Sequence, residues 1–497
     1  LEILSGRSHN ARFMTSIILS IGDELVLGQT IDTNSAWLSQ QLAATGCIIL
    51  RHLTIGDDQL QIESAIRESA QLSDIVLISG GIGPTEDDLT RQALAVVMNE
   101  PLEPNAIWLA ELDKFFTARG RPMPPINRIQ AMIPRGASMI FNHAGTAAGI
   151  KATLRRNDGK GCDVYVMPGV PKEMKKMFQT SVLHELQSRS SGAVILSRTL
   201  HTFGLGESAI AERLGPLMQR DRNPSVGTTV SAGVVSLRIN ARFDSMKRAT
   251  DELVRIESEC RSAVGDLIYG QDEQTLQEVV ATKLFEINAK LPADLFPYTV
   301  TTAESCTGGL LAKMLTDLSG SSGYFHGGFV TYSNEAKSDL LAVDAQLIRQ
   351  HGAVSEEVAK AMARGALDRA NAKAALAISG IAGPTGGTPT KPVGTVCIAL
   401  ATRDDFKVGH SIGDSRLLPS SGTPGEGQGG GPHLTHDQPS APSPALPRST
   451  GGGRPSPPPI VSRTFLFPGD RDMIRDRSAK MALTMLRFHL LGKPMPF

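Results

Sequence analysis

The sequence predicts an α/β protein, with two separate α/β domains joined by a small α+β module. Three observations predict it. Apolar, β-branched runs alternate with helical patterns over residues 14–172 and again over 271–497, the order that a parallel sheet with helices on both faces produces. Several of these runs end in glycine-rich turns, where such folds bind ligands. The stretch between them, 173–270, instead shows the period-two alternation of a half-exposed strand with helices on either side. A length of 497 residues accommodates this division.

The first domain opens with Ser16–Ile21, a buried-strand pattern running into Gly22-Asp23-Glu24-Leu25. A helical stretch follows around Asn34–Thr45. The run Asp74–Ser79 leads into Gly80-Gly-Ile-Gly-Pro-Thr-Glu-Asp-Asp88 and a further helix, and Val164–Met167 before Pro168-Gly-Val-Pro171 closes the unit. In the middle module the alternating strand is Val234–Arg242, between helical patterns near Ala209–Leu217 and Ala249–Ala263. The last domain has strand patterns at Tyr298–Ala303, Gly328–Tyr332, Ala374–Ser379 and Gly394–Ala401. Residues 413–459 interrupt it. They hold eleven of the 30 prolines and ten of the 49 glycines, with few large apolar residues. Such a segment cannot bury a core and is expected to be disordered. Strand periodicity resumes at Ser462–Phe467, so the insert sits inside the domain.

Composition narrows the function classes. Fifty basic residues balance fifty acidic ones, so no broad positive field exists for nonspecific nucleic-acid binding. No apolar run is long enough to span a bilayer, and no membrane partner is expected. The five cysteines are scattered and form no C-x-x-C pair. That pattern argues against a disulfide framework or thiolate zinc site and fits a reducing, cytoplasmic setting. Small-molecule nucleotides are the expected substrates, and a homodimer the expected assembly.

The chemistry concentrates in Thr301-Thr-Ala-Glu-Ser-Cys-Thr-Gly-Gly309. Strand, sharp turn and helix in this order can present the Ser305 hydroxyl at the mouth of a sheet, with helix N-terminal N–H groups facing an anion or developing oxyanion. A serine needs a base, and Lys337 is the candidate. Its pKa would have to fall from about 10.4 towards 7–8, through burial or a nearby cation such as Arg471. The same residues also suit plain structure: Ser305 could cap the following helix and Lys337 be a surface charge. Gly320-Ser-Ser-Gly323 offers a phosphate nest or a second hydroxyl, Ser322, or only a loop. Tyr332 could orient Lys337 or pack in the core. Ser379-Gly380-Ile-Ala-Gly383 lets backbone N–H groups approach a phosphate; without a following Gly-Lys-Ser/Thr it is no P-loop. Arg471 could hold a phosphate or pair at a helix start.

In the first domain, Gly80, Gly81 and Gly83 suit a nucleotide or pterin phosphate, alongside Gly22, Asp23, Glu24 and Asn34. Asp23, Asp87 and Asp88 could bring in a divalent metal, or could instead cap a helix and complement its dipole.

With these motifs the chain resembles the CinA family of competence/damage-inducible proteins. The resemblance rests on Ser20–Leu25, Gly28–Asn34, Gly80–Thr90, Arg119-Gly-Arg-Pro-Met-Pro124, Pro168–Pro171, Ala303–Gly309, Tyr332–Lys337, His351–Ser355, Gly380–Pro384, Lys391–Thr395 and Gly469–Arg471. It implies a molybdopterin-binding-like first domain, a KH-like module and a C-terminal nicotinamide mononucleotide deamidase. That enzyme hydrolyses the substrate carboxamide to nicotinic acid mononucleotide and ammonia, salvaging pyridine nucleotide without a cofactor. The roles implied are a Ser/Lys pair on Ser305 and Lys337, with Tyr332 and Ser322 in the catalytic group. Glu304, Thr307, Gly308, Gly309, Ser379, Gly380, Gly383 and Arg471 would surround the substrate. The motif leaves open whether Ser305 or Ser322 attacks. Some relatives add a metal-dependent ADP-ribose pyrophosphatase in the first domain, for which Asp23, Asp87 and Asp88 match. The competing reading is a molybdopterin- or nucleotide-binding module with a silent C-terminal domain, acting with competence or DNA-repair partners. The insert at 413–459 departs from the family pattern just before Arg471.

Overall fold

A computed structural model describes residues 13–189, 193–292, 295–403 and 459–496. Apart from Pro459, the insert expected at 413–459 lies outside the described residues. The described chain divides into two compact units: residues to His201 with Leu205–Val230 and Val235–Asp272, and Thr202–Gly204 with Ser231–Val234 and the chain from Glu273 onward.

The first unit carries β1 (Thr15–Ile21), β2 (Ile48–Ile55), β3 (Ile75–Ser79), β4 (Leu102–Pro104), β5 (Met132–Pro134), β6 (Ser138–Ile140), β7 (Gly149–Arg155) and β8 (Gly161–Met167). Six of them form a sheet in the order β2-β1-β3-β8-β7-β6. β1 is parallel to β2 and β3, and β3 to β8, whereas β7 runs antiparallel to both β8 and β6. β4 and β5 pair as a separate ribbon. β1 and β3 are buried almost throughout, which is why their sequences are mainly apolar, broken only by small hydroxyl residues. β2 lacks that signal because it is an edge strand with Leu50, Arg51 and His52 exposed.

The unit also holds a second sheet, from β9 (Val194–Phe203), β10 (Ser225–Ser231), β11 (Val234–Phe243) and β12 (Ile268–Gln271), in the order β10-β11-β9-β12. The expected module boundary at 173 moves. Met174, Met177, Phe178, Val182 and Leu186 are buried in one cluster with Ile18, Ile75 and Leu77 of the first sheet. The chain to Arg189 therefore completes the first domain, because its apolar face has that sheet to cover.

The second unit has one five-stranded sheet, β14-β13-β15-β16-β17, built from β13 (Val300–Glu304), β14 (Phe325–Val330), β15 (Ala374–Gly380), β16 (Thr395–Thr402) and β17 (Ile460–Leu466). β13 lies parallel to β14 and β15; β16 and β17 are antiparallel. The helices Glu356–Arg369 and Arg471–Leu490 supply much of its core. Ala401 pairs with Ile460, and the Thr402 N–H donates to the Pro459 carbonyl at 3.1 Å. The chain on either side of 404–458 is thus joined in one hairpin ladder.

Candidate active site

Ser305 follows directly on β13, in the centre of the second unit's parallel strands. Its N–H donates to the Ile378 carbonyl at 2.9 Å, which ties the turn to β15. The turn continues through Gly308 and Gly309, at φ 60° and 96°, a left-handed pair that side chains disfavour. It delivers the chain into the helix Leu310–Thr316.

Lys337 comes from the helix Asn334–Leu341, capped by the Ser333 hydroxyl. It is only 1% exposed, and its Nζ reaches the Ser305 Oγ at 3.1 Å. The same nitrogen donates to the carbonyls of Thr331 at 3.0 Å and Ser333 at 3.4 Å. No carboxylate pairs with it in these contacts. Burial pushes its pKa below the ordinary lysine value, partly opposed by Cys306 and Glu335. The lowering comes from desolvation, and Arg471 is not among its causes. Lys337 is therefore a buried amine held on a serine hydroxyl, the geometry a serine–lysine pair requires.

The adjacent Cys306 is not a competing nucleophile. Burial pushes its thiol up to about 12, so the reactive thiolate is suppressed. All five cysteines are buried free thiols.

Several expected site residues have structural duties. Glu304 is fully buried, and its carboxylate accepts the N–H groups of Gly309 and Leu311 at 3.0 Å and Ala312 at 2.7 Å. Those three bonds shape the turn. They also occupy helix N-terminal donors that the sequence suggested for an anion. Among the described residues, the turn's N–H groups that reach no acceptor on another residue are those of Cys306, which faces its own sulfur, and Thr307. The Thr307 hydroxyl is buried and equally unpartnered.

Ser379 is buried, its hydroxyl donating to the Ala353 carbonyl at 2.6 Å; it braces β15. At Gly380 an added Cβ would come within 2.7 Å of Val396 and 3.1 Å of the Cys306 Sγ, so this glycine makes room for the turn.

Tyr332 is 62% exposed, and the hydrogen bonds of the Lys337 amine go to Ser305, Thr331 and Ser333 rather than to it. Its hydroxyl accepts from the Arg471 Nη2 at 3.0 Å, and the Arg471 Nη1 donates to the Gly383 carbonyl at 2.8 Å. Tyr332 thus positions the arginine, not the base. One helical turn on, Arg475 donates to the Thr307 carbonyl at 2.8 Å.

Ser322 falls away from the pair. It lies on the short helix Ser321–Gly323 before β14, whose first residue, Phe325, pairs with Val300. Ser305 lies beyond the other end of β13. Five residues of strand separate those levels, roughly 16 Å at about 3.3 Å per residue.

The first unit has its own cavity of about 450 Å³, lined by Gly22, Glu24, Gly80, Gly81, Gly83, Asp87 and Asp88 as expected. Asp57, Gln130, Thr146 and Glu173 also line it, and no periodic or motif signal marks them. At Gly80, φ is 110° and a Cβ would run into the Ile21 carbonyl. Beneath the glycine turn the fully buried Arg91 donates to the Ile82 carbonyl at 2.6 Å. Burial lowers its pKa to about 10.

Asn34 does not line this cavity; its amide donates to Ser79 at 2.9 Å and to the Gly169 carbonyl at 2.7 Å. The acids do not form the expected ligand set. Asp23 and Asp57 each accept the other's N–H, at 3.0 and 2.9 Å. Asp88 accepts from the N–H groups of Gly83 and Thr85 and from the Thr85 hydroxyl. Among the described residues no three His, Cys, Asp or Glu side chains gather to hold a metal ion. Burial raises the Asp57 pKa, and Asp23, Asp87 and Glu24 add to it.

Fold and site together define a protein with a glycine-lined ligand cavity on one α/β unit and a buried serine–lysine pair on another. Three family models match in order: a probable molybdopterin binding domain over residues 17–188, the damage-inducible protein CinA KH domain over 197–270, and the CinA C-terminal domain over 291–415. A competence-damage inducible protein by name, from Symbiobacterium thermophilum, is 40% identical over 481 residues, covering 96% of this chain and 99% of its own. A CinA-like protein of Geobacter sulfurreducens is 42% identical over 386 residues, covering 78% and 90%. The chain belongs to the CinA family. Among solved structures, a competence/damage inducible protein of Agrobacterium tumefaciens is 30% identical over 43% of this chain and 93% of its own, with a TM-score of 0.30; the family assignment rests on the sequence relatives. No helix among the described residues is long and apolar enough to cross a membrane.

Proposed function

We propose that the second unit is an amidohydrolase that hydrolyses the carboxamide of nicotinamide mononucleotide, giving nicotinic acid mononucleotide and ammonia. The observation that carries the reading is the 3.1 Å contact between the buried Lys337 amine and the Ser305 hydroxyl. The substrate follows from the motif resemblance together with Arg471, which stands at the site beside Tyr332 with a cation suited to a phosphate.

Lys337 in its neutral form takes the Ser305 proton as Oγ attacks the carboxamide carbon. The N–H groups of Cys306 and Thr307, with no acceptor on another residue, receive the developing oxyanion. The protonated Lys337 then gives its proton to the departing nitrogen, and ammonia leaves. Water attacks the acyl–Ser305 ester, Lys337 takes its proton, and the carboxylate product is released as Ser305 is reprotonated.

In the first unit we propose nucleotide or pterin phosphate binding over Gly80–Gly83. Pyrophosphate cleavage there would need a metal-holding carboxylate set that Asp23, Asp87 and Asp88 do not form.

The test is ammonia release from nicotinamide mononucleotide by the full chain. Ser305→Ala should lose on the order of 10⁴–10⁶-fold in turnover, as nucleophile deletions do in serine hydrolases, and Ser322→Ala should keep it. The opposite pattern would move the nucleophile to Ser322. No ammonia from the unaltered chain would instead favour the binding-module reading.

A further inference from the structure

The motifs His351–Ser355 and Lys391–Thr395 have no assigned part in the chemistry above, yet they are tied to each other. Lys391 is half-buried, and its Nζ donates to the carbonyls of His351 at 3.0 Å and Val354 at 2.7 Å. Between those two, the Gly352 carbonyl accepts from the Ser355 hydroxyl at 2.9 Å and the Ala353 carbonyl from the Ser379 hydroxyl at 2.6 Å. Four successive carbonyls of this turn thus have side-chain donors, and Lys391 supplies two of them. One is the last carbonyl of the helix Ala345–His351, a position that favours a cation.

Lys391 belongs to the loop 381–394, which joins β15 to β16. The neck of the loop is closed: the Ile381 N–H donates to the Thr395 carbonyl and the Gly394 N–H to the Ile381 carbonyl, both at 2.8 Å. Further out, the Thr388 N–H donates to the Lys391 carbonyl at 2.8 Å, and the Lys391 N–H to the Thr388 hydroxyl at 3.0 Å. Val393 packs back on the start of the loop, since a Cβ at Gly383 would come within 2.6 Å of its side chain. The Gly383 carbonyl is the acceptor for the Arg471 Nη1. Direct contacts therefore run from the 351–355 turn through Lys391 and Val393 to Gly383 and the guanidinium. Neither Ser305 nor Lys337 takes a hydrogen bond from this loop in the contacts described above.

We propose that Lys391 is a positioning residue for Arg471. By pinning the loop to the 351–355 turn it holds the Gly383 carbonyl, and with it the guanidinium, where a substrate phosphate is received. The inference rests on the amidase reading. It places the role of Lys391 at the phosphate end of the substrate and leaves the serine–lysine chemistry to the other elements.

Steady-state ammonia release by the full chain, from nicotinamide mononucleotide and from nicotinamide riboside, tests it. Lys391→Met keeps the stem and removes the donors. It should raise KM for the mononucleotide about tenfold or more, the order that losing one charge-assisted hydrogen bond costs, with kcat within about threefold of the parent. The riboside has no phosphate, so its kcat/KM should not change. Lys391→Arg, which can still donate to two carbonyls, should restore most of the loss. Arg471→Met should raise KM as well, and adding Lys391→Met to it should cost little more, because the two side chains act as one unit. Losses that multiply would overturn the proposal and make Lys391 an independent phosphate contact. An unchanged KM would overturn it, as would an equal fall in kcat for both substrates, which would mark the loop as part of the chemistry. No ammonia from the unaltered chain would overturn the amidase reading itself, and this role with it.

Discussion

Glu304→Gln separates a structural from a substrate-binding role for a residue in the Ala303–Gly309 motif that carries Ser305. The carboxylate receives three N–H groups, two on Oε2 and one on Oε1. A glutamine placed with its oxygen at the Oε2 position keeps two of these bonds and turns an NH₂ towards the Ala312 N–H. One bond to a charged group is lost and a buried donor is left unpaired, about 2–3 kcal/mol in all. For a domain of this size each kcal/mol moves the midpoint by about 2–4 °C, so a fall of roughly 4–12 °C is expected. Differential scanning calorimetry of the full chain, followed through the transition that carries amidase activity, measures it. Well below that transition, KM for nicotinamide mononucleotide should stay within about twofold of the parent, because the side chain meets only backbone N–H groups. An unchanged midpoint with KM raised tenfold or more would show that Glu304 contacts substrate and that the capping argument is wrong.

The pH profile should show an acid limb. Only neutral Lys337 can accept the Ser305 proton, so kcat should rise with pH through the lowered pKa of this buried amine and level off below the ordinary lysine value of about 10.4; stopped-assay ammonia rates across pH check this, and a limb centred at or above that value would refute it. Arg475→Ala should lower kcat about tenfold or more with little change in KM, because it frees the Thr307 carbonyl and loosens the turn, and Arg475→Lys should restore part of the loss. Replacing residues 404–458 by a turn of about five residues should leave amidase activity in place and raise the melting temperature by about 4–8 °C, since a loop of the kind the composition predicts returns about 2 kcal/mol of closure entropy; failure of the shortened chain to fold would refute that reading of the composition.

The parallel strands were legible because they are buried on both faces: β1, β3 and β15 are mainly apolar, β13 is β-branched, and each leads into a glycine-bearing turn. β2 and the ribbon of β4 and β5 were not, since exposed or three-residue strands carry no periodic signal. At the site, the strand–turn–helix setting pointed to Ser305 and the motif to Lys337, and the fold brings their side chains within 3.1 Å. What the sequence could not show is how hydrogen-bond acceptors are shared. Glu304 and Ser379 sit inside substrate-like motifs yet bond the backbone, and Tyr332 serves Arg471. Register decided Ser322, because a parallel pair puts the residue before β14 at the far end from the residue after β13.

On the proposed amidase reading, the division of the turn's donors also sets the class of inhibitor expected at this site. With Glu304 claiming Gly309, Leu311 and Ala312, the catalytic turn offers Cys306 and Thr307 to a single oxygen, too few donors for a ready-made tetrahedral anion. Inorganic phosphate and sulfate should be weak inhibitors at this turn. An uncharged electrophile such as a boronic acid or aldehyde, which gains its negative oxygen only after Ser305 adds to it, matches both the serine and the two remaining N–H groups, and so is the starting chemistry for a mechanism-based probe.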